Sequence, residues 1–198
     1  MLEYESFAPQ KDPFCIAVVA DSHIPDHTRA FPAGFDTRLG AIKPDLLLHA
    51  GDIILPETLR ALAAFAPVRA VKGNRDFLFG KELPLVRGIA VYGQKIVLTH
   101  GHLNTAVYWR DKVAFALRGY HFERYLRRFE HCFPEANVIA FGHTHRCENR
   151  WENGRLYLNP GLLSGRDQRF PTPHIGVLNM YENGTIEANL IPIEGEGQ

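Results

Sequence analysis

Val138-Ile139-Ala140-Phe141-Gly142-His143-Thr144-His145 joins an unbroken apolar run to a glycine and two histidines spaced two apart. Four apolar residues with no polar alternation suit a strand covered on both faces, not one half-open to water. The same design recurs upstream. Cys15-Ile16-Ala17-Val18-Val19-Ala20 runs into Asp21-Ser22-His23, and Asp45-Leu46-Leu47-Leu48 into His49-Ala50-Gly51-Asp52. Val68-Arg69-Ala70-Val71 is followed shortly by Gly73-Asn74-Arg75-Asp76, and Ile96-Val97-Leu98 runs into Thr99-His100-Gly101-His102. Helices are predicted between the early strands, near Gly34 to Ile42 and over Pro56 to Phe65, where a proline starts a segment rich in Ala and Leu. The order β-α-β-α-β predicts an α/β layered domain.

Working outward, Leu103 to Pro134 reads as mostly helical, with Phe122, Tyr125, Leu126, Phe129 and Phe133 on one face at three- and four-residue steps. That stripe is expected to pack as core. Strands are predicted at Arg150–Trp151, Arg155–Leu158, His174–Met180 and Thr185–Ile191. Asn153-Gly154 and Asn183-Gly184 mark hairpin turns, so the chain is expected to finish in antiparallel structure. The charged ends, Met1 to Pro13 and Glu194 to Gln198, are expected to be loosely held.

With 198 residues and 45% hydrophobic content, including thirteen Phe, the chain suits one domain with a real core, spanning 1–198. No apolar run approaches the roughly 18 residues of a membrane span, and the N-terminus does not read as a signal peptide. Twenty-two basic side chains balance 22 acidic ones, which argues against a general nucleic-acid or anionic-membrane binder. Three scattered cysteines (Cys15, Cys132, Cys147) without CxxC spacing read as reduced thiols of a cytoplasmic protein. A homo-oligomer is compatible with the sequence.

In an open α/β sheet, functional groups gather beyond the carboxyl ends of strands. Five such ends deliver Asp21 and His23, Asp52, Asn74, His100 and His102, and His143 and His145. Each alone has a structural explanation, since a strand-end Asp often caps a turn. Together they are the oxygen and imidazole donors that borderline divalent cations accept. Residues two apart leaving a strand can point the same way and grip a cation from one side.

In order, Asp-x-His, Gly-Asp, Gly-Asn-x-Asp, His-Gly-His and Gly-His-Thr-His resemble the calcineurin-like metallophosphoesterase superfamily, in particular its small single-domain bacterial and archaeal phosphodiesterase branch. The resemblance spans nearly the whole chain. It implies a four-layer α-β-β-α sandwich of mixed sheets flanked by helices, and a dinuclear metal centre. Asp21, His23, Asp52 and His145 would bind one ion and Asp52, Asn74, His100 and His143 the other, with Asp52 bridging. Mn is the first expectation, with Fe, Ni, Zn, Co or Mg as alternatives. A hydroxide between the metals would attack phosphorus in line, making the protein a phosphodiesterase of a small phosphorylated substrate. Phosphomonoesterase, nucleotide pyrophosphatase, nuclease and non-catalytic scaffold are the competing functions.

The sequence departs from the family at Arg75, where many superfamily phosphatases carry the His read as the leaving-group acid. Arginine cannot give up that proton, but it can clamp phosphate oxygens. The bland alternative for Arg75 is a surface pair with Asp76. His102 is the substitute acid to test, against a role in positioning a neighbour. His49 reads as a hydrogen-bonded support, and His27, His121, His131 and His174 as structural or surface residues. The stretch 103–134 carries Arg110, Lys112, Arg118, Arg124, Arg127 and Arg128 against three acidic residues. As a helical insertion it could overhang the metals and contact an anionic substrate.

Overall fold

The computed structural model describes residues 2–77, 81–165 and 172–193. In chain order the elements are β1 (Tyr4–Phe7), β2 (Phe14–Val19), α1 (Phe35–Ile42), β3 (Leu46–His49), α2 (Pro56–Leu62), β4 (Val68–Ala70), β5 (Val86–Val91) and β6 (Gln94–Thr99). There follow α3 (Thr105–Arg118), α4 (Phe122–Cys132), β7 (Val138–Phe141), β8 (Cys147–Glu152), β9 (Arg155–Pro160), β10 (His174–Met180) and β11 (Ile186–Pro192). One sheet has the order β1-β5-β6-β7-β9-β8 and the other β11-β10-β2-β3-β4, both mixed.

The unbroken apolar runs are explained by what lies on each face. Alternate residues Ile16, Val18, Leu46 and Leu48 point between the sheets, where they meet Ile96, Leu98, Val138, Ala140, Leu156 and Leu158. Their neighbours Ala17, Val19 and Leu47 face the other way, onto Phe35 and Leu39 of α1 and Leu62 of α2. On the far side Val97, Ile139, Phe141 and Tyr157 meet Phe122, Tyr125, Phe129 and Phe133. The layers are therefore α-β-β-α, and the aromatic stripe of α4 is core. All three cysteines are free thiols.

Both Asn-Gly pairs make hairpins, with Asn153 at φ 52° and Gly154 at φ 74° in the mirror-image turn such a pair favours. The two hairpins join different sheets. β9 lies parallel to β7, and β10 lies antiparallel to β2 in the other sheet.

The N-terminal stretch differs from expectation. Tyr4 to Phe7 is a strand paired parallel to β5, with Tyr4 opposite Gly88 and Phe7 opposite Val91. Leu2 and Tyr4 pack on the α4 layer and Phe7 on the inter-sheet core. Among them sits Glu5, which takes a hydrogen bond from Arg69 Nε of β4 at 2.8 Å and so links the edges of the two sheets. Its charge and that of Glu3 disguised a strand that is only four residues long. Glu194 to Gln198 lie outside the described residues.

Phe129 is fully buried, with ring centroids 5.2 Å from Phe141 and 6.4 Å from both Phe133 and Tyr157. Phe129→Ala should lower the unfolding free energy by about 3–5 kcal/mol in urea titration. A loss under about 1 kcal/mol would contradict this packing.

Candidate metal centre

Parallel β2 and β3 in one sheet, and β6 and β7 in the other, release their chains at a common rim. There the backbone bends at once. Of ten non-glycine residues at positive φ among the described residues, five are expected ligands: Asp21 (53°), His23 (48°), Asp52 (57°), His143 (71°) and His145 (58°). Asp tolerates the left-handed region better than most residues and His is also enriched there, yet each instance costs roughly 1–2 kcal/mol. Neighbouring chains hold the bends in place. Asp21 N–H donates to the Gly51 carbonyl and His23 N–H to the Asp52 carbonyl, both at 3.0 Å. His143 N–H, from the opposite sheet, donates to Asp21 Oδ2 at 2.9 Å.

Gly73 and Gly142 are among the positions that exclude any side chain. A Cβ on Gly73 would lie 2.1 Å from Asp52 N, and one on Gly142 would lie 2.8 Å from Asp21 Oδ2.

The seven expected ligands are brought together as two overlapping groups. In the first, Asp21 Oδ1 faces His145 Nε2 at 3.6 Å and His23 Nε2 at 3.8 Å, the two imidazoles stand 3.4 Å apart, and Asp52 Oδ2 is 3.7 Å from His23 Nε2. In the second, Asn74 Oδ1 lies 3.0 Å from His100 Nε2 and 2.8 Å from His143 Nδ1, these two nitrogens are 3.3 Å apart, and Asp52 Oδ1 is 3.5 Å from His100 Nε2. Donors about 2.1 Å from a common ion must sit about 3–4 Å from each other. Asp52 gives one oxygen to each group. Asp21 Oδ1 is buried with no hydrogen-bond partner, an acceptor left for a cation. The donor set therefore fits divalent metal.

The electrostatics agree. Burial pushes Asp52 up to about 6, aided by the charge of Asp21 and opposed by His100. Burial would raise Asp21 too, but the neighbouring imidazoles of His145, His100 and His23 overcome it and hold this carboxyl below its ordinary range. Burial lowers His23 to about 3 and holds His143 well below the usual histidine value. These imidazoles are neutral at physiological pH, with lone pairs free for a metal.

Asp76 is the residue that sequence reasoning passed over. Fully buried, its carboxylate accepts backbone N–H groups from Asp52 (3.0 Å), Ile53 (2.8 Å), Ile54 (2.8 Å) and Gly73 (2.7 Å). It fixes the loop that presents Asp52. The Gly-Asn-x-Asp spacing carried the signal, an Asp folding back on backbone amides as in turns. Other supports are His100 Nδ1, which donates to the Ala50 carbonyl at 2.7 Å and aims Nε2 inward, and His49, fully buried against Ser22 Oγ at 3.0 Å. His27 stacks on His23, with centroids 4.2 Å apart.

Arg75 does not pair with Asp76, whose oxygens are occupied by amides. Its guanidinium lies 3.6 Å from Asp26, and its backbone N–H donates to Asp52 Oδ1 at 2.8 Å. The side chain borders a cavity of about 250 Å³ that also contacts Asp52, Asn74, His143 and His145. His102 is buried behind the ligands, with ring centroids 5.4 Å from His100 and 5.9 Å from His143, and burial lowers it to about 4. In the stretch 103–134, Tyr108, Lys112 and Phe115 of α3 border this cavity. Of the six basic residues of that stretch only Lys112 lines it, because the helix turns the others elsewhere.

The calcineurin-like phosphoesterase superfamily domain matches residues 14–183. The chain belongs to the calcineurin-like phosphoesterase superfamily. A probable metallophosphoesterase of Methanothermobacter thermautotrophicus is 33% identical over 177 residues, 89% of this chain and 91% of that protein. The superfamily fold is evident in Vps29 of Cryptosporidium parvum, at TM-score 0.71 and 18% identity, covering 92% of this chain and 98% of that one. A structure described as a novel archaeal phosphodiesterase aligns at TM-score 0.59 and 18% identity, over 89% of this chain and 99% of its own.

Asp76→Asn should weaken Mn(II) binding by about 10–100-fold in equilibrium dialysis, since it disturbs the support of a ligand loop. Unchanged affinity would mean that the Asp52 loop holds itself. A pH dependence follows as well. His23, His49 and His102 have folded values of about 3, 4 and 4, below their ordinary value near 6.5. As pH falls from about 6.5 to 4 the unfolded chain takes up these protons first, so metal-free protein should lose stability across that window. Asp52, raised to about 6, acts oppositely but is one group against several. Urea midpoints of metal-free protein that stay level from pH 7.5 to about 4.5 would contradict these shifts.

Proposed function

We propose that this protein is a two-metal phosphodiesterase acting on a small phosphorylated substrate, working as a single domain. The observation that supports it best is the Asp52 carboxylate, one oxygen turned to each donor group at the floor of a cavity of about 250 Å³. Asp21, His23, Asp52 and His145 would hold one ion and Asp52, Asn74, His100 and His143 the other, with Mn the first candidate. When bound, such ions supply Lewis acidity, lowering the pKa of water from about 15.7 toward 7 and spreading the charge on phosphoryl oxygens.

The chain's own residues do the rest. Arg75 and Lys112, both cations on the cavity wall, bind and orient the phosphate, Arg75 as a fork. Tyr108 and Phe115 of α3 border the same cavity and offer aromatic surface to the organic part of the substrate. The Arg75 departure favours a diester with a good leaving group over an alkyl monoester. His102 has no place on the cavity wall, so its position supports steadying the rings of His100 and His143 more than proton donation. The likeness to Vps29 keeps a non-catalytic scaffold as the alternative, and metal content separates the two.

Mn-reconstituted protein should hold two ions per chain and hydrolyse bis(p-nitrophenyl) phosphate faster than p-nitrophenyl phosphate. Asp52→Ala and His143→Ala should each reduce the diester rate about 100-fold or more. Full activity in either folded variant, or a metal-free native preparation, would refute the proposal. His102→Gln should affect good and poor leaving groups equally; a selective loss on the poor one would restore the acid role.

A further inference from the structure

The arginines that turn away from the metal cavity converge elsewhere. α3 is a partition: Tyr108, Asp111, Lys112 and Phe115 border the metal cavity, while Val107, Arg110 and Arg118 border a groove of about 750 Å³ on the other side, against α4. Arg124 and Arg127 of α4 line the same groove. We infer that this groove is a binding site for a multiply charged phosphoryl anion, separate from the metal centre.

Four observations support it. First, four guanidinium groups face a single carboxylate there, Glu123, in a chain whose total charge is zero. Like charges gathered along one groove repel unless an anion joins them. Second, among the described residues Arg110, Arg118, Arg124 and Arg127 make no ion pair, so their forks are free for an incoming anion; Arg124 spends one N–H on the Gly119 carbonyl at 3.1 Å. Guanidinium forks match the paired oxygens of phosphoryl groups. Third, the fifth arginine, Arg128, is committed: it donates to Asp111 Oδ1 at 2.6 Å and to the Gly101 carbonyl at 2.7 Å. This buried pair braces the groove and ties it to the segment between His100 and His102. Fourth, the volume falls within the range of small-ligand sites.

The anion can be a free phosphorylated molecule or a phosphorylated lipid headgroup, since exposed Trp109, Val113 and Leu117 lie on the same helix. The test is calorimetric titration of the Mn-loaded full chain with myo-inositol hexasulfate, which has no phosphoester to hydrolyse. Binding should be saturable, and Arg110→Ala/Arg127→Ala should weaken it at least about tenfold while metal content stays at the wild-type level. Absent binding overturns the inference. So does equal binding by the double variant, or a loss produced instead by Arg75→Ala/Lys112→Ala, which would locate the probe at the metal cavity. Co-sedimentation with phosphatidylcholine vesicles, plain or containing phosphatidylinositol 4-phosphate, resolves the source. Retention only on the phosphorylated vesicles, lost in the double variant, assigns a lipid headgroup; hexasulfate binding without retention assigns a soluble ligand.

Discussion

Two carboxylates, Asp21 and Asp52, lie buried beside one another where the two sheets meet, and the surrounding structure is organised around that unfavourable proximity. Asp21 is fully buried and Asp52 nearly so, and their charge needs compensation from within. Four imidazoles and an amide oxygen ring them. Left-handed turns, glycines that leave no room for a Cβ, and the amide-filled Asp76 carboxylate hold them against relaxation. Each device costs stability by itself. Together they make sense as a receptacle for positive charge, with the strain of the bends repaid when cations arrive.

The donor set was legible because it needs little three-dimensional knowledge. An apolar run followed by a polar pair places chemistry at a strand end, and parallel strands put their ends on one rim. The sandwich was legible for a related reason: Ile16 and Ala17, or Val97 and Leu98, could both be apolar only if each face had a cover. What stayed hidden depends on distant partners. β1 owes its existence to β5, and Glu5 to Arg69, thirteen strandless residues by local criteria. Asp76 looked like a companion for Arg75 because both are charged neighbours, whereas the backbone turned one inward and the other outward. The helical segment 103–134 was read correctly as helix, but no periodicity says which flank of a helix will overlook a site. Only the docked geometry separates Lys112 from Arg110, two positions away.

That separation gives α3 a double character. One flank of α3 contributes a tyrosine, a lysine and a phenylalanine to the metal cavity, and the other gathers arginine. The Arg128–Asp111 pair passes between them and grips the backbone beside a ligand. A neutral chain can thus carry strongly segregated charge, and total composition says little about local potential.

The position of β10 has a consequence for how the molecule is made. It sits between β11 and β2, so that Val18 faces Gly176 across the ladder. One side of β2 therefore has nothing to bond until a strand some 158 residues further along, from Val18 to Gly176, has been made. Contacts so distant along the sequence slow folding. Until then β2 keeps an open edge beside apolar residues, the kind of surface that makes a partly folded chain prone to association.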